Sequence, residues 1–178
     1  MAEEKDTTKT PGGRNTRSTR GPRTPRGPRG RIRKQDEFND QVLDLRRVTR
    51  VTAGGKRFRF RATVVVGNGK GKVGVGIGKG PDVQAAIEKA KAQAKKNVIE
   101  LKLKDRHTVA HEAEAKFSAA KVLIKPAPAG HGLMAGGSPR VVLRLAGVQD
   151  ATAKCIGRTK NKLTNALAAI EALKKINV

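Results

Sequence analysis

The sequence is poor in aromatic side chains. Among 178 residues there is no Trp and no Tyr, and the four Phe are Phe38, Phe58, Phe60 and Phe117. A helix lying in a membrane interface therefore lacks its usual aromatic anchors. No run of 18 apolar residues occurs, so no segment reads as a bilayer-spanning helix. Cysteine is reduced to Cys155, which excludes an internal disulfide and a Cys-based zinc site and fits a reducing compartment. Beside Ile156, that thiol reads as a small apolar residue. Acidic residues are scarce as well: 15 Asp+Glu face 39 Lys+Arg, a net charge of +24. Self-repulsion at that charge calls for a polyanionic partner, of which nucleic acid is the commonest. The opening residues MAEEKDTTK lack the apolar core of a secretory signal, and Glu3, Glu4 and Asp6 argue against an organelle transit peptide. The expected location is cytoplasmic.

Apolar residues are nearly missing from positions 1–36, where only Met1, Ala2 and Ile32 occur. Such a segment cannot bury enough surface to offset its ordering entropy, so it reads as a disordered basic tail. Arg14, Arg17, Arg20, Arg23, Arg26 and Arg29 recur every third residue, in step with Pro22, Pro25 and Pro28. In polyproline II, with three residues per turn and about 3.1 Å rise per residue, these arginines line one edge as a ribbon suited to phosphates. A solvated tail without fixed shape is the alternative. The ribbon predicts that deleting residues 1–35 lowers the salt dependence of RNA binding and leaves the fold intact.

Residues 37–104 read as three strands and a helix. The first strand covers Asp44–Thr52, and Ala53, Gly54, Gly55 and Lys56 form a turn. The second, Arg57–Val66, alternates with period two. Phe58, Phe60, Ala62, Val64 and Val66 face one way as core; Arg57, Arg59 and Arg61 face the other. Asn68 and Gly69 carry hairpin-turn chemistry. The third strand, Lys72–Ile77, holds Gly74 and Gly76, which allow a close backbone approach or a bulge. A helix begins at Pro81, with Asp82 in its first turn and Val83, Ala86, Ile87, Ala90 and Ala94 as its apolar stripe. In residues 105–178, strands are expected over Thr108–Ser118, Lys121–Lys125 and Ala151–Gly157. A short helix is expected with Ser138 as N-cap and Pro139 at its first position. A last helix covers Lys160–Lys175, with Leu163, Leu167, Ile170 and Leu173 inward. The fold class is α+β.

Motifs for catalysis are missing. GKGKVG at 69–74 has the glycine spacing of a dinucleotide loop, but it enters a strand where such a loop would open a helix. His107 and His111, four apart in an expected strand, stand about 13 Å from each other and cannot share an ion. No triad or carboxylate pair stands out. The expectation is no enzyme, no cofactor, no metal and no small-molecule substrate. KRFRF at 56–60 hints at RNA-recognition sheets, but Arg57 and Arg59 occupy positions where that motif needs small residues. Recognition of folded RNA by shape and phosphate is the remaining mode, with Arg57, Arg59, Arg61, Lys70, Lys72 and Lys79 around the turns.

TVVVGNGKGKVGVGIGKGPDVQAAIEKA and VLIKPAPAGHGLMAGGSPRVVLRLAGV, in that order, resemble the bacterial-type family of small-subunit ribosomal protein five, over residues 37–176. The tail is longer than is usual in that family, and Val75 and Ile77 stand where aromatics are common. The resemblance implies a first domain like a double-stranded-RNA-binding fold, a three-stranded antiparallel sheet plus helix. It implies a second, α+β domain like one in elongation factor G. It implies 16S ribosomal RNA, small-subunit proteins four and eight, and messenger RNA at the mouth of its channel as partners, with roles in subunit assembly and decoding accuracy. Thr52, Ala53, Gly54, Gly55, Lys56 and Arg57 match the hairpin loop that reaches the RNA neck, with Arg59, Arg61, Asn68, Lys70, Lys72 and Lys79 as further RNA contacts. Gly132, Gly136, Gly137 and Arg140 match the contact with protein four. The alternatives weighed against this are a free-standing double-stranded-RNA-binding regulator and a nucleotide-using enzyme.

Overall fold

The computed structural model describes residues 37–101 and 108–176. The arginine ribbon Arg14–Arg29 and His107 lie outside these residues. Residues 35–178 form one compact unit. Its elements are β1 (Asn39–Thr52), β2 (Gly55–Gly67), β3 (Lys72–Gly80), α1 (Val83–Lys96), β4 (Val98–Glu100), β5 (Ala113–Phe117), β6 (Ala120–Pro126), β7 (Leu133–Ala135), α2 (Gly137–Ala146), β8 (Ala151–Cys155) and α3 (Lys162–Ile176). Two four-stranded sheets result, ordered β1-β2-β3-β4 and β5-β6-β8-β7. The first is antiparallel throughout; in the second, β7 runs parallel to β8, joined by α2.

The first lobe has four strands rather than three. The added β4 is a three-residue segment that pairs with the start of β3. So short a strand has no readable alternation. β7 escapes sequence reading for the same reason.

Strand β3 meets α1 across a seam of glycines and alanines. Gly74, Gly76, Gly78 and Gly80 lie on one face of the strand; Ala86, Ala90 and Ala94 lie on one stripe of the helix. A Cβ on Gly74 would collide with the Ala94 carbonyl oxygen, on Gly76 with that of Ala90, and on Gly78 with that of Ala86. The match is geometric. Two strand residues advance about 6.6 Å, and four helical residues advance about 6 Å. Each glycine therefore meets the next alanine along the helix, and the two backbones approach without side chains between them. On β2, Ala62, Val64 and Val66 complete this small core, with Phe38, Phe60 and Ile87 at its rim.

The opposite face of the same sheet is also covered. Val65, Val73 and Val75 point into a larger core shared with β5, β6, β8, α2 and α3, including Ile124, Leu143 and Leu173. The second lobe thus lies against the sheet on the side away from α1. Alternation along β2 sends even-numbered residues to α1 and odd-numbered ones to the second lobe.

Several helix ends differ from the sequence reading. Pro81 precedes α1, and Asp82 is its N-cap, with no side-chain hydrogen bond. Ser138 does not cap α2. Gly136 does, and Ser138 is buried inside the helix. Helix α3 starts after Asn161, whose Oδ1 accepts the Leu163 amide at 3.1 Å, a side-chain N-cap.

Candidate nucleic-acid interface

Beyond Phe60, β2 loses its second neighbour. Phe60 pairs with Gly80, the last residue of β3, whereas Gly55–Arg59 pair with β1 alone. A two-stranded arm therefore projects roughly 16 Å past the sheet at the usual strand rise. Its tip is the turn at Ala53 and Gly54. There the Thr52 hydroxyl donates to the Gly55 carbonyl at 3.0 Å, and Gly55 takes φ 137°.

Register assigns the arm two different faces. Cross-strand partners share a face, so Arg46 with Arg61, Val48 with Arg59 and Arg50 with Arg57 stand on one side, and Lys79 of β3 extends the row beside Arg61. Val48, Arg50, Thr52, Arg57, Arg59 and Lys79 line an open cleft of about 440 Å³ there. The other face carries Leu45, Arg47, Thr49, Val51, Lys56 and Phe58. No acidic residue occurs between Leu45 and Arg61.

Like charges placed directly opposite destabilise a sheet. Arg50 and Arg57 are such a pair, and Arg61 lies between Arg46 and Lys79. Only Arg46 finds an acid, Asp44, at 2.6 Å. Among the described residues, Arg50, Arg57, Arg59, Arg61 and Lys79 have no carboxylate partner. Cations elsewhere are treated differently: Lys91 meets Asp40 at 2.9 Å, Lys121 meets Glu114 at 2.6 Å, and Lys125 meets Glu112 at 3.2 Å. These three lysines are neutralised locally, whereas the arm stays charged.

Three expected contact residues lie elsewhere. Asn68, Lys70 and Lys72 sit at the far end of β2 and β3, about six strand residues from Arg61, or roughly 20 Å. The Asn68 Oδ1 is occupied by the amides of Lys70 at 2.8 Å and Lys72 at 3.0 Å, so it builds the turn. Lys72 is ion-paired with Glu100, and that hydrogen bond and charge hold its ammonium above the ordinary lysine pKa. Only Lys70 stays open.

The glycines of this second turn have an internal task. The Gly69 amide donates to the Leu145 carbonyl at 3.0 Å, and the Gly71 amide to the Ala146 carbonyl at 2.8 Å. These are last-turn carbonyls of α2, which have no partner inside the helix. A glycine loop that in another context would hold phosphate here caps a helix C-terminus.

Phe58 corrects a second expectation. It is not core: 52% of it is exposed, and the Arg47 guanidinium lies 4.8 Å from its ring centroid. The period-two pattern was right, but the core stops at Phe60 because α1 does not extend under the arm.

On the second lobe, Gly132, Gly136, Gly137 and Arg140 do come together. The Gly132 amide donates to the buried Asp150 Oδ1 at 2.7 Å, and Arg140 reaches the Leu133 carbonyl at 3.5 Å. Side chains added at Gly136 or Gly137 would enter open space. Met134 beside them is 54% exposed. Cys155 is half-buried, and desolvation raises its thiol pKa against the opposing charge of Lys154. Among the described residues no group of His, Cys, Asp or Glu could hold a metal ion, and no helix is long and apolar enough to cross a membrane.

Comparison with known proteins places nearly the whole described chain in one family. Residues 38–102 match the family described as "Ribosomal protein S5, N-terminal domain", and residues 115–177 match "Ribosomal protein S5, C-terminal domain". A protein of Campylobacter jejuni named "Small ribosomal subunit protein uS5" is 47% identical over 139 residues, covering 78% of this chain and 93% of its own length. One of that name in Paramagnetospirillum magneticum is 42% identical over 143 residues, covering 80% and 68%. "Small ribosomal subunit protein uS5c" of Cyanidium caldarium is 45% identical over 140 residues, covering 79% and 83%. With both family domains present in order and relatives matched over most of their length, the chain belongs to the ribosomal protein S5 family.

Proposed function

We propose that this protein is a structural constituent of the small ribosomal subunit, in the cytoplasm, and that it binds 16S ribosomal RNA through the arm. The protein is not an enzyme. One observation carries the RNA reading: the row Arg50, Arg57, Arg59, Arg61 and Lys79 is left without acids and with like charges opposed. A sheet that answered only to its own stability would not keep that row. An external polyanion supplies the missing countercharge. Thr52, Ala53, Gly54, Gly55 and Lys56 form the leading edge, where small residues let backbone amides reach an RNA surface.

The finer roles rest on the family resemblance. Gly132, Gly136, Gly137 and Arg140 are the proposed contact with small-subunit protein four, which links the chain to decoding accuracy. Their openness and the exposed Met134 support a protein contact. Protein eight and the channel by which messenger RNA enters are the further proposed neighbours. Residues 1–36, 37–104 and 105–178 are the proposed tail and two domains. The likenesses to a double-stranded-RNA-binding fold and to a domain of elongation factor G belong to the same reading.

The test is reconstitution. Small subunits assembled with wild-type chain should retain it at one copy through a high-salt wash and crosslink the arm to 16S RNA. A chain carrying Arg50→Gln, Arg57→Gln and Arg59→Gln should wash off, and its RNA affinity should lose about one unit of salt slope per arginine. Retention and slope unchanged in the triple variant would refute the arm as the RNA contact.

A further inference from the structure

Among the described residues, the apolar face of the arm has no counterpart. Phe58 is 52% exposed, Val51 70% and Leu45 44%. Register puts all three on the same side, opposite the arginine row. Phe58 lies out on the ribbon, beyond the core cluster that has Phe60 at its rim. It is one of only four Phe in the chain. It is also dressed: the Arg47 guanidinium rests 4.8 Å from the ring centroid, and the remainder of the residue faces solvent.

We propose that Phe58 and Arg47 form a stacking platform for an unpaired nucleobase, so that the arm grips RNA by phosphate on one face and by base on the other. This rests on the RNA reading above and adds a ligand to it. Two observations favour a base over an apolar protein surface. A protein partner for Leu45, Val51 and Phe58 would have to accept the charges of Arg47 and Lys56 within the same patch, and Arg50, Arg57 and Arg59 a strand's thickness away. An unpaired nucleotide brings a π-face for the ring and guanidinium together with a phosphate for the neighbouring cations. A bulged or looped base is the form in which folded RNA offers this, since a paired base keeps its faces within the stack.

The arm then predicts different responses from two RNA probes. The full chain is titrated with a short single-stranded RNA carrying one central 2-aminopurine and with a fully paired RNA duplex of equal length. The proposal expects 2-aminopurine fluorescence to change on binding. It expects Phe58→Leu, which keeps an apolar side chain of similar bulk, to weaken single-strand binding about fivefold to a hundredfold. Duplex affinity and the salt slope should stay as they were, and Phe58→Trp should restore the signal. Thermal unfolding followed by circular dichroism confirms that each variant folds. Equal affinities for wild type and Phe58→Leu on the single strand would overturn the platform, as would equal losses on both probes. If Arg57→Gln still weakens both probes in that case, the RNA reading survives and only the base platform falls. If wild-type chain binds neither probe, both fall together.

Discussion

Two stretches of one sheet show opposite uses of unusual residues. Where β3 meets α1, glycines remove side chains so that two backbones can touch. Where β1 and β2 run out past β3, arginines crowd a ribbon that no third strand pairs. Gly76 and Gly54 illustrate the contrast. A Cβ at Gly76 would collide with the backbone of Ala90 and Ala94, whereas one at Gly54 would meet nothing within 4 Å. The seam is constrained from inside by contact distance. The arm is constrained from outside, by whatever cancels its charge. An abundance of special residues therefore does not tell a packing site from a binding site; what lies across from each residue does.

The largest expected effect would break the seam. Gly76→Ala should lower stability by about 3 kcal/mol, at the upper end for overpacking, because backbone cannot rotate aside as a side chain can. Gly54→Ala should stay within about 0.5 kcal/mol. Urea denaturation of both variants measures the difference. Gly55 lies between these cases: it has open space but φ 137°, so Gly55→Ala should cost about 1 kcal/mol or more in backbone strain.

On the arm the sign of the stability change should reverse. Arg57→Gln removes a like charge opposite Arg50 and should stabilise the free protein by about 0.2–1 kcal/mol. The same change should reduce the salt slope of RNA binding by about 1. Parallel denaturation and salt-titrated binding would test whether stability and affinity trade against each other at this position. A variant that lost both would place Arg57 in the scaffold, with the seam.

Smaller effects should come from the ionisable groups. Burial raises the Cys155 thiol pKa, so less thiolate is present at mildly alkaline pH and alkylation should be slower in the folded chain than in denaturant. Timed alkylation followed by mass measurement checks this. Lys72 gives the smallest effect. Its folded pKa is raised by Glu100, so its contribution is complete below the unfolded pKa and disappears as pH climbs through the folded one. An NMR titration of the ε-ammonium should show that shift in the wild type and lose it in Glu100→Gln. Because the pair is solvent-exposed, added salt should weaken it.

Much of this was legible in the chain itself. The alternation of β2 announced its two faces, and Gly74 and Gly76 announced a close backbone approach or a bulge without saying what approaches. Arg57, Arg59 and Arg61 were readable as one row. Other features were not. Arg46 and Arg50 join that row only through the pairing of β1, a strand whose apolar positions are too few to reveal its register. Phe58 looked like core because alternation says which face a residue takes but not how far the covering helix extends. The internal partners of Asn68 and Lys72 were not readable either, because Glu100 sits in β4 and the amides that Asn68 accepts belong to the folded turn. Gly136 took the cap expected of Ser138, because packing of α2 against α3 and the first sheet buries Ser138 within the helix.

By itself the sequence determined the excess of positive charge, the α+β alternation and the side-chain types on offer, because net charge, side-chain period and residue type are properties of the chain read in order. Tertiary structure alone decided which cations go unpaired, which glycines are filled from across the seam and where the core stops along β2. Those depend on distances between residues far apart in the sequence, and such distances are set only when the sheets and helices pack together.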